Sequence, residues 1–560
     1  MRTIGYLAAA VLAASCGGKK TEDGKLAPTP GSSVAGSGAV AAAGSGAAGS
    51  GAAAAGSGSA GMGSGSAAVT SALVPVTTKS PEAQKVFEQG RELVDGDRGA
   101  EAVALFKKAI ELDPDFAQAH AYLGIVTPGP AGVVALDKAK TLAAKLPDAE
   151  RLVIEGAQAA RAGNHAAMLA AYTKVSELAP GDWRIWLSLG WDASDTGDPA
   201  KAVTLFEKAL AVKADLALAQ DGLAYSHAGL REWDAAIAAA KKQVELLPKQ
   251  PSPEDTLGEM LLLAGKFDDA EKAFQAAIDL EPKYNIAWQG IELARAYRGD
   301  WKGAFTANDS QNAGAVDTYD SVNVITDGAW LALAAGNLPD AIARLDVIEK
   351  DPEAKKTPAY AFAALDRASI LQLSDKFADA ATWLETGRKR GDALPGPSKA
   401  LASRAHAIGV LRNAAWTAKA APDADALVTG LDQAATAGGD PTSQSYVAWG
   451  KGLAAWAKSG PKDAVAELSK CRVQLVGCRY DLADAQRKGG DTAAADATEK
   501  QVRELPQRDA SAVYYITDLA PEAAGSRAAG SAAGSGAAGS GAAGSGAAGS
   551  AAPPRAPSKK

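Results

Sequence analysis

The chain has 560 residues and a net charge of -7, with only 9 Phe against 59 Gly. The two ends, 1–80 and 521–560, each carry a net +3, which leaves -13 for the stretch between them. A body this acidic argues against a nucleic-acid surface, and the glycine gathers in the ends rather than in the body.

The first sixteen residues read MRTIGYLAAAVLAASC. Arg2 gives a short positive start, and Ile4 to Ala14 is apolar but too short to span a bilayer. Small residues Ala13, Ala14 and Ser15 lead into Cys16. This resembles a bacterial lipoprotein signal over 1–15, except that Leu12 stands one place early. The resemblance implies a lipidated Cys16 as a membrane anchor. Gly17 follows the cysteine where inner-membrane lipoproteins carry aspartate, which implies the outer membrane, facing the periplasm. Residues 16–79 are dominated by Gly, Ala and Ser with AGSG units and offer no apolar pattern to bury. They are expected to be a flexible linker with a reach of roughly 40–45 Å.

Ser80-Pro81-Glu82 is a helix start, with a serine cap and a proline in the first turn. A first helical pair is expected from Ala83, with Phe106 and Pro114 in register. A second, from Ala117, is interrupted at Thr127-Pro128-Gly129-Pro130. Four stretches then repeat at about 34 residues, from Ala149, Trp183, Ala217 and Pro251. Their eighth positions are Gly156, Gly190, Ala224 and Gly258. Their twentieth are Met168, Ala202, Ala236 and Ala270, and their twenty-fourth Tyr172, Phe206, Ala240 and Phe274. Pro180, Pro248 and Pro282 close three of the four. Positions 4, 7, 8 and 11 make one helical stripe, and 20, 24 and 27 make a second. Gly163, Gly197 and Gly265 fall between the stripes, where a glycine ends a helix.

This register resembles the tetratricopeptide repeat. The resemblance implies an all-α, right-handed superhelical solenoid of helical hairpins stabilised by contacts between neighbours. The regular part is 80–305, with a further unit from Asn285. The degenerate part is 306–520, opening on a polar loop over 306–320 and continuing in looser hairpins to about eleven in all. A terminal segment near Tyr514 and Tyr515 should cover the last repeat. Residues 521–560 are again low-complexity and expected to be a disordered tail.

No catalytic constellation is visible. His120, His165, His227 and His406 stand on separate repeats, and there is no phosphate loop or nucleophile elbow. No enzyme, metal or cofactor is implied. Cys471 and Cys478 lie close in sequence, and in an exported protein such a pair tends to be bridged. Two small buried core residues is the other reading.

The function then lies on the surface. By resemblance, the first helix of each hairpin makes a concave groove. Carried over, this implies a protein- or peptide-binding groove of Arg184, Leu187, Trp191, Asp221, Tyr225, Asp255, Glu259, Gln289 and Tyr297. Chaperone-binding members clamp a terminal carboxylate with Lys and Asn at the fifth and ninth positions. Here Leu187, Trp191, Asp221, Tyr225, Asp255 and Glu259 stand there, so that clamp is absent. The expected ligand is an extended segment with Lys or Arg beside an apolar anchor, held by a membrane-tethered scaffold. A spacer or assembly subunit without a peptide ligand is the alternative.

Overall fold

The computed structural model describes residues 73–519 apart from 97, 163, 420, 422, 439 and 440. The signal over 1–15, Cys16, most of the linker and the tail over 521–560 lie outside the described residues. Among those described there are helices and no strands. The regular pairs are α1 Pro81–Asp95 with α2 Gly99–Leu112, α3 Ala117–Val126 with α4 Pro130–Ala143, and α5 Asp148–Arg161 with α6 His165–Leu178. Then come α7 Trp183–Asp195 with α8 Pro199–Val212, α9 Ala217–Gly229 with α10 Trp233–Leu246, α11 Pro251–Leu263 with α12 Phe267–Leu280, and α13 Ile286–Tyr297 with α14 Trp301–Ala313. The looser part is α15 Thr318–Ala334, α16 Leu338–Lys350, α17 Ala359–Gln372, α18 Phe377–Asp392, α19 Gly396–Thr417, α20 Ala424–Gly438, α21 Pro441–Ser459, α22 Pro461–Leu468, α23 Val476–Lys488, α24 Thr492–Arg503 and α25 Ala510–Asp518.

Helix starts follow local chemistry. The Ser80 side chain accepts from the Ala83 amide with Pro81 in the first turn, and Asn164 and Asp198 cap α6 and α8 in the same way. Gly197 and Gly265 adopt positive φ at the hairpin bend, where a Cβ is disfavoured. In the third central unit Arg231 takes that place, also at positive φ.

The 34-residue register has a steric cause. Phe206 is fully buried between two glycines. A Cβ on Gly190 of its own hairpin would lie 2.7 Å from the ring, and one on Gly222 of the next would lie 2.3 Å away. Phe274 sits between Gly258 and Gly290 by the same device. The aromatic at the twenty-fourth position is thus the wedge between hairpins, and the small residue opposite makes room for it.

Three expectations change. The segment over 306–320 is not one loop: α14 continues to Ala313 and α15 begins at Thr318. Asn308 and Gln311 are buried there, so polar residues that read as a loop face the inside of a helix pair. The Asn308 amide donates to Glu292 and to the Val324 carbonyl. Residues 73–79, read as linker, pack on the repeats. Val74 is buried, the Thr77 amide and hydroxyl donate to Glu150, and Thr78 donates to Asp113. The run Leu73-Val74-Pro75-Val76 supplies the apolar character that the AGSG units lack. Among the looser helices, α19 packs chiefly on α18 and α21 rather than on α20.

The third change concerns the last helix. α25 does not simply cover the final repeat. It lies against α15 and also touches α13, α23 and α24. Its Val513, Tyr514, Tyr515 and Ile516 join the same continuous core as Trp330 and Ile291. The chain therefore returns to pack against helices much earlier in its sequence.

Candidate functional site: an acidic helix face holding an arginine

α11 places Asp255 and Glu259 four residues apart, so both carboxylates lie on one face of the helix. Asp255 is buried and Glu259 half-buried. Between them sits the guanidinium of Arg508, from the segment that links α24 to α25. Its two terminal nitrogens form a fork on Asp255 at 2.8 and 3.0 Å. One of them also reaches Glu259 at 3.2 Å, and the other donates to the Ile286 carbonyl at 2.9 Å. The guanidinium carbon lies 5.1 Å from the centre of the Phe274 ring. The Tyr225 hydroxyl donates to Glu259 at 3.0 Å and holds that carboxylate in place. Burial alone would lower the arginine pKa, but Asp255 and Glu259 outweigh it and hold the guanidinium firmly charged. A planar fork on a carboxylate is the geometry that arginine matches and lysine does not.

The neighbouring residues extend the contact. The Tyr297 hydroxyl donates to the Gln507 carbonyl at 2.8 Å and accepts from the Gln507 amide at 2.9 Å. Its ring stacks on Phe267, with centroids 5.3 Å apart. Asp509 caps α25 by accepting from the Ala512 amide. Leu505, three residues before Arg508, is buried. The Arg231 side chain donates to the Glu504 carbonyl. Gln289 donates to Asp327 rather than to this segment. Burial, with Asp509 nearby, pushes the Asp327 carboxyl up to about 8. Burial pushes Asp366 up to about 7, although it accepts from the Trp330 indole.

The expected groove residues therefore divide. Tyr225, Asp255, Glu259 and Tyr297 come together around residues 507 and 508. Asp221 lies one repeat back and accepts from the Thr256 hydroxyl at 3.1 Å. Leu187 and Trp191 do not line an open groove. Both are buried, and Trp191 meets Phe206 edge-on at 5.2 Å. The reason is that α7 is enclosed on most sides: Ile185, Leu187, Ser188, Leu189 and Trp191 are all buried. Arg184 is likewise engaged, paired to Asp95 at 2.5 Å across three repeats and lying over the Trp183 ring.

Arg508 was absent from the sequence-derived set because it stands in an irregular stretch, outside any helical stripe. The signal that pointed toward it was the pair of acidic residues at adjacent groove positions, which needs a cation. In the distal repeats, Arg412 makes a second buried pair, with Asp481 at 3.0 Å, and Arg412 also donates to Tyr515 of α25. Cys471 and Cys478 are joined as a disulfide across the turn from α22 to α23, with both side chains buried. No group of His, Cys, Asp and Glu able to hold a metal occurs among the described residues, and no described helix is long and apolar enough to cross a membrane.

Residues 87–126 and 187–251 match the tetratricopeptide repeat family. No curated protein matches the chain. Among solved structures, the chain is similar to MamA at 24% identity, over 28% of this chain and 93% of that one, with a TM-score of 0.27. It is also similar to a tetratricopeptide repeat protein from Parabacteroides merdae at 13% identity, over 46% of this chain and 98% of that one, with a TM-score of 0.36. The family match, the 34-residue register and the run of helix pairs agree: the described chain has a tetratricopeptide-like repeat fold.

Proposed function

We propose that this protein is a scaffold of the bacterial cell envelope that holds protein or peptide partners on its helical-repeat surface. Its anchor is a lipid on Cys16, with the repeats facing the periplasm from the outer membrane. What supports the reading is the helix face on which Arg508 rests. Asp255 and Glu259 of α11, braced by Tyr225 of α9, together with the Ile286 main-chain carbonyl and the Tyr297 hydroxyl of α13, hold an irregular segment of the chain. That is the chemistry of peptide recognition.

Affinity purification from native membranes, followed by mass spectrometry, tests this. One partner in fixed stoichiometry, lost together with membrane association in Cys16→Ser, supports it. A Cys16→Ser chain that stays with the membrane removes the anchor.

A second reading has its own observation. The segment on this helix face belongs to this chain, as a spacer or assembly subunit with no peptide ligand would have it. A fixed place in a large envelope complex, unaffected by changes on α11, favours that reading.

A further inference from the structure

We propose that the Asp255–Glu259 pocket is an arginine-recognition site that the chain fills in cis with Arg508, and that an arginine-bearing segment of a protein partner exchanges with it. This deepens the partner-binding reading above and rests on it.

The pocket is built for one group. Asp255 offers both oxygens to the guanidinium fork, Glu259 and the Ile286 carbonyl take further N–H groups, and Phe274 lies beneath. Tyr225, from the preceding repeat, fixes Glu259. Two carboxylates this close and this buried are costly without a cation. The pocket therefore does not open empty: whatever displaces Arg508 must bring its own positive charge. A planar fork fits Asp255 better than an ammonium does.

The occupant divides into two parts. α25 is held by apolar burial of Val513, Tyr515 and Ile516. Residues 504–509 are irregular and held by the arginine fork, the Gln507–Tyr297 pair, bonds from the Gln507 side chain to the Gln474 carbonyl and from Arg231 to the Glu504 carbonyl, and one buried leucine, Leu505. The polar part can leave while the helix stays docked. The occupant also states the ligand chemistry: Leu505-Pro506-Gln507-Arg508 presents an apolar side chain three residues before an arginine. A partner segment of that pattern meets the same contacts.

The probe is a fluorescein-labelled peptide of residues 504–510, titrated by anisotropy into the full chain. Arg508→Ala is expected to bind it at least ten-fold more tightly than the wild type. Adding Asp255→Asn and Glu259→Gln to that variant should abolish binding, as should an alanine in place of the arginine in the peptide. Binding should weaken as salt rises. Equal binding by Arg508→Ala and wild type overturns the proposal.

If Arg508→Ala does not fold, the wild type serves. Excess peptide should speed amide exchange over 504–509 while 512–518 stays protected. Unchanged exchange over 504–509 overturns the proposal. Stable partners recovered from membranes, with no response to the peptide, would sink the exchange and leave the scaffold standing.

Discussion

At the scale of single residues, the fold turns on a few aromatic wedges. Phe206→Ala should cost about 3–5 kcal/mol, read by urea unfolding, because the cavity lies between two hairpins that cannot close separately. Gly190→Ala tests the same joint from the other side. Its new Cβ would fall 2.7 Å from the Phe206 ring, so a loss of about 1–3 kcal/mol is expected. Gly265→Ala meets no neighbour but must keep its positive φ, and should lose about 1–2 kcal/mol by strain alone. The glycines were legible in the sequence because their spacing is fixed by the wedge. Trp191 was misplaced because position alone does not separate a ring on the groove surface from a ring turned into Phe206. The carboxyl of Asp327 makes a pH prediction. Its ordinary value is 3.8, and the folded value is about 8. The folded chain therefore keeps a proton that the unfolded chain releases. Its contribution is most favourable below 3.8 and is lost as pH rises toward about 8. Asp327→Asn should raise the melting temperature at pH 8.5 and leave it nearly unchanged at pH 4.

At the scale of elements, the regular helix pairs from α1 to α14 were predictable because each repeats the same stripe. The stretch over 306–320 was not, because Asn308 and Gln311 give no apolar signal and yet are buried, Asn308 with its amide donating to Glu292 and to the Val324 carbonyl. α25 was visible as a short apolar run, but its docking place was not. Nothing in the run itself names α15 as its partner, since that contact is set by Trp330 and the tyrosines meeting far apart in sequence. The disulfide works on the same scale. Cys471 and Cys478 close a short loop that fixes the turn between α22 and α23. Reduction, or a double Cys→Ala change, should cost roughly 2–3 kcal/mol, and alkylation of the unfolded, unreduced chain should modify neither cysteine.

At the scale of the whole molecule, a solenoid usually unfolds piecewise because each repeat touches only its neighbours. This chain has long-range ties. Arg184 reaches Asp95 across three repeats, Thr77 reaches Glu150, and Arg412 joins Asp481 and Tyr515. Arg508 and Gln507 tie the last segment to α11 and α13. These ties should make denaturation of the repeats from α11 onward one transition. Tyr515→Ala should split it, seen as a lower and broader urea slope by circular dichroism.

The same tie has a consequence for birth of the chain on the ribosome. Arg508 lies 253 residues after Asp255. At about 5–20 residues per second, roughly 13–50 s pass between making Asp255 and making Arg508. Through that interval Asp255 and Glu259 are paired carboxylates with no internal guanidinium to meet them. A nascent or newly exported chain thus meets a foreign cationic segment without competition, whereas the finished one admits it only in exchange for Arg508.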